Sequence, residues 1–260
     1  MIGWIITGIL LAIVVIVIIF GLSRSQAQRK VGFAEGIDSE AVGKAFNALQ
    51  NLPQFKLLRK IIVKHIARPK LGDGLSAGAT LLDLGCGTGH LLKALKDTIA
   101  TKKLVDLNLN GIDLGSESVR FCRETLAKAG HTNIDVREGD GANMPYLNES
   151  MDVVVSSLSL HHWTDPVSVF NEIFRVLRPN GFFVLFDMRR DCRRSWHWLL
   201  RFATRVVVPK ALRNVGEPLG SLLAAYTKAE LQGIIARTSW ANKENNIDSV
   251  LFAQVLELRK

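Results

Sequence analysis

The sequence predicts an α/β fold, a doubly wound and mostly parallel sheet, and three observations carry that expectation. Short apolar runs alternate with helical patterns from residue 80 onward, the arrangement of sheets whose strands are joined by crossover helices. One run, Val153-Val154-Val155, is unbroken in β-branched residues, which suits a strand covered on both faces. The first run, at residues 81–90, reads Leu-Leu-Asp-Leu-Gly-Cys-Gly-Thr-Gly-His. It passes from strand to glycine-dense turn to helix, and so brings bare backbone close to a ligand at a helix N-terminus.

The chain has 260 residues and is 48 % apolar, enough for one sizeable core and an appendage rather than two large domains. Residues 2–22 carry no charge and match the ~20 residues that cross a bilayer as a helix. A cleavable signal peptide would begin with positive charge and have a shorter apolar stretch. Arg24, Arg29 and Lys30 follow the run and nothing basic precedes it, so the positive-inside rule predicts a single-pass membrane protein with a cytoplasmic domain. The expected organisation is a transmembrane helix at 1–22, a juxtamembrane linker at 23–37, and the folded domain at 38–260.

Within that domain, helical patterns are expected near 38–50 and 54–67, the second with Phe55, Leu58, Ile61, Ile62 and Ile66 at helical spacing. Strands are expected at 80–84, 109–113, 133–138, 152–157 and 181–187, with helices near 90–98, 116–129 and 165–177. Gly130 and the Pro179-Asn180-Gly181 turn mark helix ends. A helix at 228–238, capped by Thr227, and a last strand at 250–258 complete the pattern. Residues 241–249 are polar and only weakly strand-like. Cys86, Cys122 and Cys192 are far apart with no Cys-x-x-Cys pair, so neither a metal site nor a disulfide framework is expected.

A basic insertion is expected at 188–226. Between residues 189 and 214 stand eight Arg or Lys against the single acid Asp191, so most of the net charge of +9 is concentrated there. At ~100° per residue Arg194, His197, Arg201 and Arg205 share one helical face, and Trp196, Leu199, Leu200, Ala203, Val206 and Val207 lie opposite. Trp198 and Phe202 fall toward the basic edge. A basic amphipathic helix at 193–207 suits an anionic lipid interface. The same pattern fits a lid whose apolar face packs on the domain and whose arginines are solvated.

Ligands in open α/β sheets bind beyond the carboxyl ends of the strands, and the candidate residues fall there. Asp113 ends the second strand 24 residues after Gly89, near the ~20-residue offset of an acid that accepts from ribose hydroxyls. Asp140-Gly141-Ala142 ends the third strand and could meet an adenine edge, although Asp and Gly are also ordinary turn residues. His161 and His162 follow the fourth, where an imidazole with a pKa near ~6.5 can take a proton at neutral pH.

Taken in order from about residue 54 to 187, the chain resembles the class I S-adenosylmethionine (SAM) methyltransferases. Gly-x-Gly-x-Gly at Gly85, Gly87 and Gly89 is similar to their first motif, and Met151 to Trp163 to their fourth. The resemblance implies a Rossmann-like, seven-stranded sheet with SAM as cofactor. It implies Asp83 and the glycines around the methionine portion, Asp113 and the adjoining Leu114 at the ribose, Asp140, Gly141 and Ala142 at the adenine, and backbone near Ser157 at the amino group. It also implies His161 or His162 as a base assisted by Asp187, which follows the fifth strand. No Asn-Pro-Pro-Tyr, Asp-Pro-Pro-Tyr or Pro-Cys motif of nucleobase enzymes is present, and nucleic acid is not the expected partner. The expected acceptor is a small lipophilic or membrane-associated molecule, with membrane contact through residues 2–22 and the helix at 193–207. The alternatives are a protein or RNA methyltransferase that uses the arginine-rich insertion, and a non-catalytic SAM-binding protein.

Overall fold

The structure is a computed structural model that describes residues 18, 20–30, 39–71, 75–101 and 104–260. Two helices, α1 (Glu40–Gln50) and α2 (Pro53–Ala67), precede an alternating series. In order this is β1 (Ala79–Leu84), α3 (His90–Ala100), β2 (Leu107–Asp113), α4 (Ser116–Lys128), β3 (Asp135–Glu138), β4 (Met151–Ser157), α5 (Pro166–Val176) and β5 (Leu177–Met188). The insertion forms α6 (Arg194–Val206), α7 (Lys210–Asn214) and α8 (Leu219–Ala224), and the chain closes with α9 (Lys228–Ile235), β6 (Asn245–Val250) and β7 (Ala253–Arg259).

The seven strands lie in the order β3-β2-β1-β4-β5-β7-β6. The first five in sequence pair in parallel, and β7 runs antiparallel to both β5 and β6. The direction of strand addition reverses between β1 and β4, and a crevice opens at the carboxyl ends of such a pair. Alternate residues feed opposite faces of the sheet. Leu81, Val153, Val155 and Val184 join α2, α3 and α4 in one apolar cluster, while Leu82, Val154, Phe183 and Leu185 join α5 and α9 in the other. Trp240 is fully buried in the second cluster and donates its Nε1–H to Phe170 O at 2.8 Å.

Three local expectations change. The weakly patterned stretch at 241–249 contributes β6, and Val250 ends that strand instead of opening the last one. Pro179-Asn180-Gly181 lies within the span of β5, beside a register irregularity against β4, so α5 gives way directly to strand at Leu177. On α6 the expected apolar side is divided. Trp196 and Leu200 pack inward, whereas Leu199, Val206 and Val207 are exposed together with Trp198 and Phe202.

The single-pass membrane expectation is corrected, because no helix among the described residues is long and apolar enough to cross a membrane. Residues 1–17 and 19, most of the expected span, lie outside the described residues, as do 31–38 of the expected linker. Residues 23–30 run along the basic insertion as a strap. Arg24 bridges to Arg193, Ser25 N donates to Cys192 O at 2.9 Å, and Lys30 N donates to Leu223 O at 2.9 Å. Arg29 donates from Nε to Ala224 O at 2.8 Å and lays its guanidinium over the Tyr226 ring.

Candidate functional site

A cavity of about 710 Å³ opens at the carboxyl ends of β1, β2, β3 and β4. Its floor is the turn from Gly85 to Gly89, where the three glycines have φ of 75°, 50° and 78°. A Cβ on Gly87 would meet open space, so this glycine serves its own backbone conformation. A Cβ on Gly89 would stand 2.7 Å from Cys122 Sγ, so this one also permits close packing of the turn on α4. Gly89 caps α3, whose first residue His90 meets Asn47 Oδ1 of α1 through Nε2 at 2.6 Å. Burial, with Arg59 and Lys93 nearby, pushes His90 down to about 4, so it holds α1 against the turn as a neutral ring.

Asp83 lies directly beneath this floor, 1 % exposed, and neither carboxylate oxygen has a hydrogen-bond partner among the described residues. Burial first, and the Asp113 charge second, push it up to about 8. A buried carboxyl left bare costs more than one that is paired. Asp113 Oδ2 accepts from Gly87 N at 2.8 Å and Oδ1 from Gly115 N at 3.0 Å, which fixes the turn to the end of β2. Burial raises its pKa against the opposing pull of these bonds. Asp113, Leu114, Asp140, Gly141, Ala142 and Ser157 all line the cavity, along with Gly85 and Gly87. Asp140 uses Oδ1 to accept from Ala142 N at 2.8 Å, so its side chain also shapes its own turn.

At the far wall, β4 is followed by Leu158, with φ of 56°, and by a short 3-10 turn Leu160–His162. His161 is buried, lines the cavity, and meets Asp187 Oδ1 through Nδ1 at 2.7 Å. Asp187 sits behind the wall at the end of β5 and also accepts from His161 N and Met188 N. Burial pulls the His161 pKa down, but the Asp187 charge and hydrogen bond together outweigh it and the net shift is upward. His162 moves the other way, to about 3, through burial and then the neighbouring His161.

Of the sequence-derived candidates, Asp83, Gly89 and Asp187 stand behind the cavity wall and the rest are on it. The cavity wall also contains residues that the sequence did not single out. Phe46, Leu49 and Arg59 come from α1 and α2, Met188 ends β5, and Glu217 and Ser221 come from the insertion. Phe46 and Leu49 could be anticipated from the helical pattern at 38–50. Glu217 carried no signal, because only the folded insertion brings it to the wall.

A family model described as a methyltransferase domain matches residues 75–239. Among curated relatives, the biotin biosynthesis bifunctional protein BioHC of Teredinibacter turnerae is 26 % identical over 77 % of this chain and 39 % of its own. Demethylmenaquinone methyltransferase of Shouchella clausii is 27 % identical over 64 % of this chain and 66 % of its own. Arsenite methyltransferase of Halobacterium salinarum is 30 % identical over 46 % of this chain and 30 % of its own. The chain thus spans between about a third and two thirds of these relatives. Among solved structures, a SAM-dependent methyltransferase from Aquifex aeolicus superposes with a TM-score of 0.61 at 19 % identity, over 84 % of this chain and 97 % of that one. The plantazolicin methyltransferase BpumL, solved with S-adenosylhomocysteine (SAH), gives 0.64 at 13 % identity over 85 % and 91 %. At these identities the superpositions establish a shared fold.

Proposed function

This chain belongs to the methyltransferase-domain family, and we propose that it is a SAM-dependent methyltransferase that methylates a small lipophilic acceptor from which His161 removes the proton. The observation that carries this reading is the buried His161–Asp187 pair on the cavity wall. With Nδ1–H donated to the carboxylate, the lone pair of Nε2 is the free base of the ring. Burial first, and then the neighbouring His161, hold His162 neutral, so it serves as wall.

Bound SAM supplies a methyl group on a positively charged sulfur. In this reading the backbone of Gly85, Gly87 and Ser157 and the carboxyl of Asp83 hold the methionine portion. Asp113 and Leu114 take the ribose, and Asp140, Gly141 and Ala142 the adenine. When the acceptor takes that methyl group, His161 Nε2 would receive the acceptor's proton. Asp187 then stabilises the imidazolium. Alignment inside a walled cavity supplies the rest of the acceleration.

Phe46, Leu49, Phe55, Leu58 and Met188 give the acceptor side an apolar wall, which supports the lipophilic reading. The names of the relatives above also point to small molecules rather than protein or RNA. A peripheral contact with an anionic lipid surface belongs to the same reading and requires no spanning segment. Its support is α6, where Trp198, Leu199, Phe202, Val206 and Val207 are exposed beside Arg194, Arg201 and Arg205.

Labelled SAM incubated with the protein and a total lipid extract tests the acceptor class. Label in the organic phase is the expected result, and label confined to protein or RNA overturns it. His161→Ala should abolish most turnover and leave SAH affinity within about twofold, since a base contributes roughly 10²–10⁴-fold to rate. Flotation with phosphatidylglycerol vesicles should fall when Trp198 and Phe202 are both changed to Ser.

A further inference from the structure

Of the cavity-lining carboxyls that have no part in the reading above, one is buried. Glu217, between α7 and α8, is 6 % exposed and lines the cavity with Pro218 and Ser221. Ser221 Oγ donates to its Oε1 at 2.5 Å, and Glu217 N donates to Leu212 O at 2.9 Å. Glu217 is close enough to feel the charges of both His161 and Asp187. The remaining charged group acting on His161 is Arg29, which stands outside the cavity wall and is engaged with Ala224 O and the Tyr226 ring.

The hydrogen bonds divide these two carboxyls unequally. Asp187 accepts from His161 N, His161 Nδ1 and Met188 N, whereas Glu217 accepts from Ser221 alone among the described residues. Bonds from N–H groups favour the ionised form, so Asp187 is the anion of the pair. Before catalysis His161 must be neutral to act as a base. An ionised Glu217 would then add a second buried negative charge beside Asp187, while the cation on the wall, Arg59, is engaged by Gln50 through its side-chain and backbone oxygens. Two carboxyls in that situation share one charge, and the worse-solvated one keeps its proton. Burial acts on Glu217 in the same direction.

We propose that Glu217 is a neutral carboxylic acid that donates a hydrogen bond into the cavity, and that the site therefore takes acceptors with a carbonyl or ether oxygen beside the hydroxyl that His161 deprotonates. The proposal rests on the reading of His161 as the base. Donation to the neighbouring oxygen orients the acceptor and draws electron density from it, which eases loss of the hydroxyl proton. An acceptor with a carboxylate at that position is refused, because it would face Asp187 across the wall.

The test uses the SAH-loaded protein titrated calorimetrically with 2-methoxyphenol and with 4-methoxyphenol, isomers that differ in whether the ether oxygen adjoins the hydroxyl. The 2-isomer is expected to bind about fivefold more tightly, the net value of one hydrogen bond. Glu217→Gln should keep that preference, because its amide also donates, and Glu217→Leu should erase it. A wild-type protein that binds the isomers equally, or binds neither, overturns the proposal, as does a Leu variant that keeps the preference. Infrared difference spectra at pH 7 give a second readout independent of any acceptor. The protonated-carboxyl region should lose intensity in Glu217→Gln relative to wild type, the Asp83 contribution being common to both, and no difference between them also overturns the proposal. A purely structural Glu217 would change stability in the Leu variant without touching either readout. Turnover that survives His161→Gln would remove the base while the band and the isomer preference still judge Glu217 separately.

Discussion

Asp83 concentrates the tension of the site in one residue. Its folded pKa near 8 lies far above the ordinary 3.8, so the unfolded chain releases this proton at lower pH than the folded one. Between about pH 4 and pH 8 the folded state binds more protons, and stability falls as pH rises across that window. Asp83→Asn removes the penalty. At pH 8 it should stabilise the ligand-free protein by roughly 2–5 kcal/mol and at pH 4 by almost nothing, measured by urea unfolding. The same change should weaken SAM binding by tenfold or more. Wild-type affinity should climb from pH 6 to pH 8, because a bound ammonium draws the proton off Asp83, and the Asn variant should lose that slope. An Asn variant that is no more stable at pH 8 would show that Asp83 is already solvated or paired. His161 gives the opposite kind of profile. Its raised pKa means that the neutral, basic ring appears only above the ordinary value of about 6.5. The turnover number should therefore rise with pH through an apparent pKa above that value and then level off. A flat profile from pH 5.5 to 9 would remove the imidazole from the rate-limiting step.

At the scale of elements, the residues legible in the sequence are those whose partners are set by periodicity. Leu81 to Leu84 and Val153 to Val155 announce central strands because both of their faces are buried, and Gly85, Gly87 and Gly89 announce the turn because their backbone angles favour glycine. Asp113 was found by its distance along the chain from the turn. The insertion was legible only as charge, since Arg190 looks like a solvated arginine until the fold brings its partners together. In the structure it is 5 % exposed, donates to Ala27 O at 2.7 Å and to Ala225 O, and pairs with Glu230 Oε1 at 2.6 Å. One side chain thus ties the strap, the end of α8 and α9. Removing one member of a buried charged network costs about 3–5 kcal/mol, because the others are left without partners. Arg190→Ala should lower stability by that amount, with amide exchange rising first in residues 23–30 and 219–226. Arg193→Ala, a neighbouring change in the same basic run, should cost less than 1 kcal/mol. Equal losses for the two would mean that the insertion acts only through its total charge.

For the whole molecule, the cavity is where separately built parts meet. The glycine turn belongs to the sheet, Phe46 and Phe55 come from the two leading helices, and Glu217 comes from the insertion that the strap holds down. Phe46 and Leu49 pack on Val208 and Leu212 of the insertion, and His90 ties the first helix to the turn, so a ligand in the cavity meets all three parts at once. A ligand that binds only the folded state stabilises it by RT ln(1 + [L]/Kd), about 2.7 kcal/mol at a hundredfold excess over Kd. For a domain of this size each kcal/mol raises the melting temperature by roughly 2–4 °C, so SAH at that excess should raise it by about 5–10 °C. The distribution of the effect is the sharper test. If the cavity couples its walls, SAH should slow amide exchange in α1, α2 and residues 217–225 as well as at the glycine turn. Protection limited to residues 85–92 and 113–118 would mean that the cofactor grips the sheet alone, and that the lid and leading helices close only when the acceptor arrives.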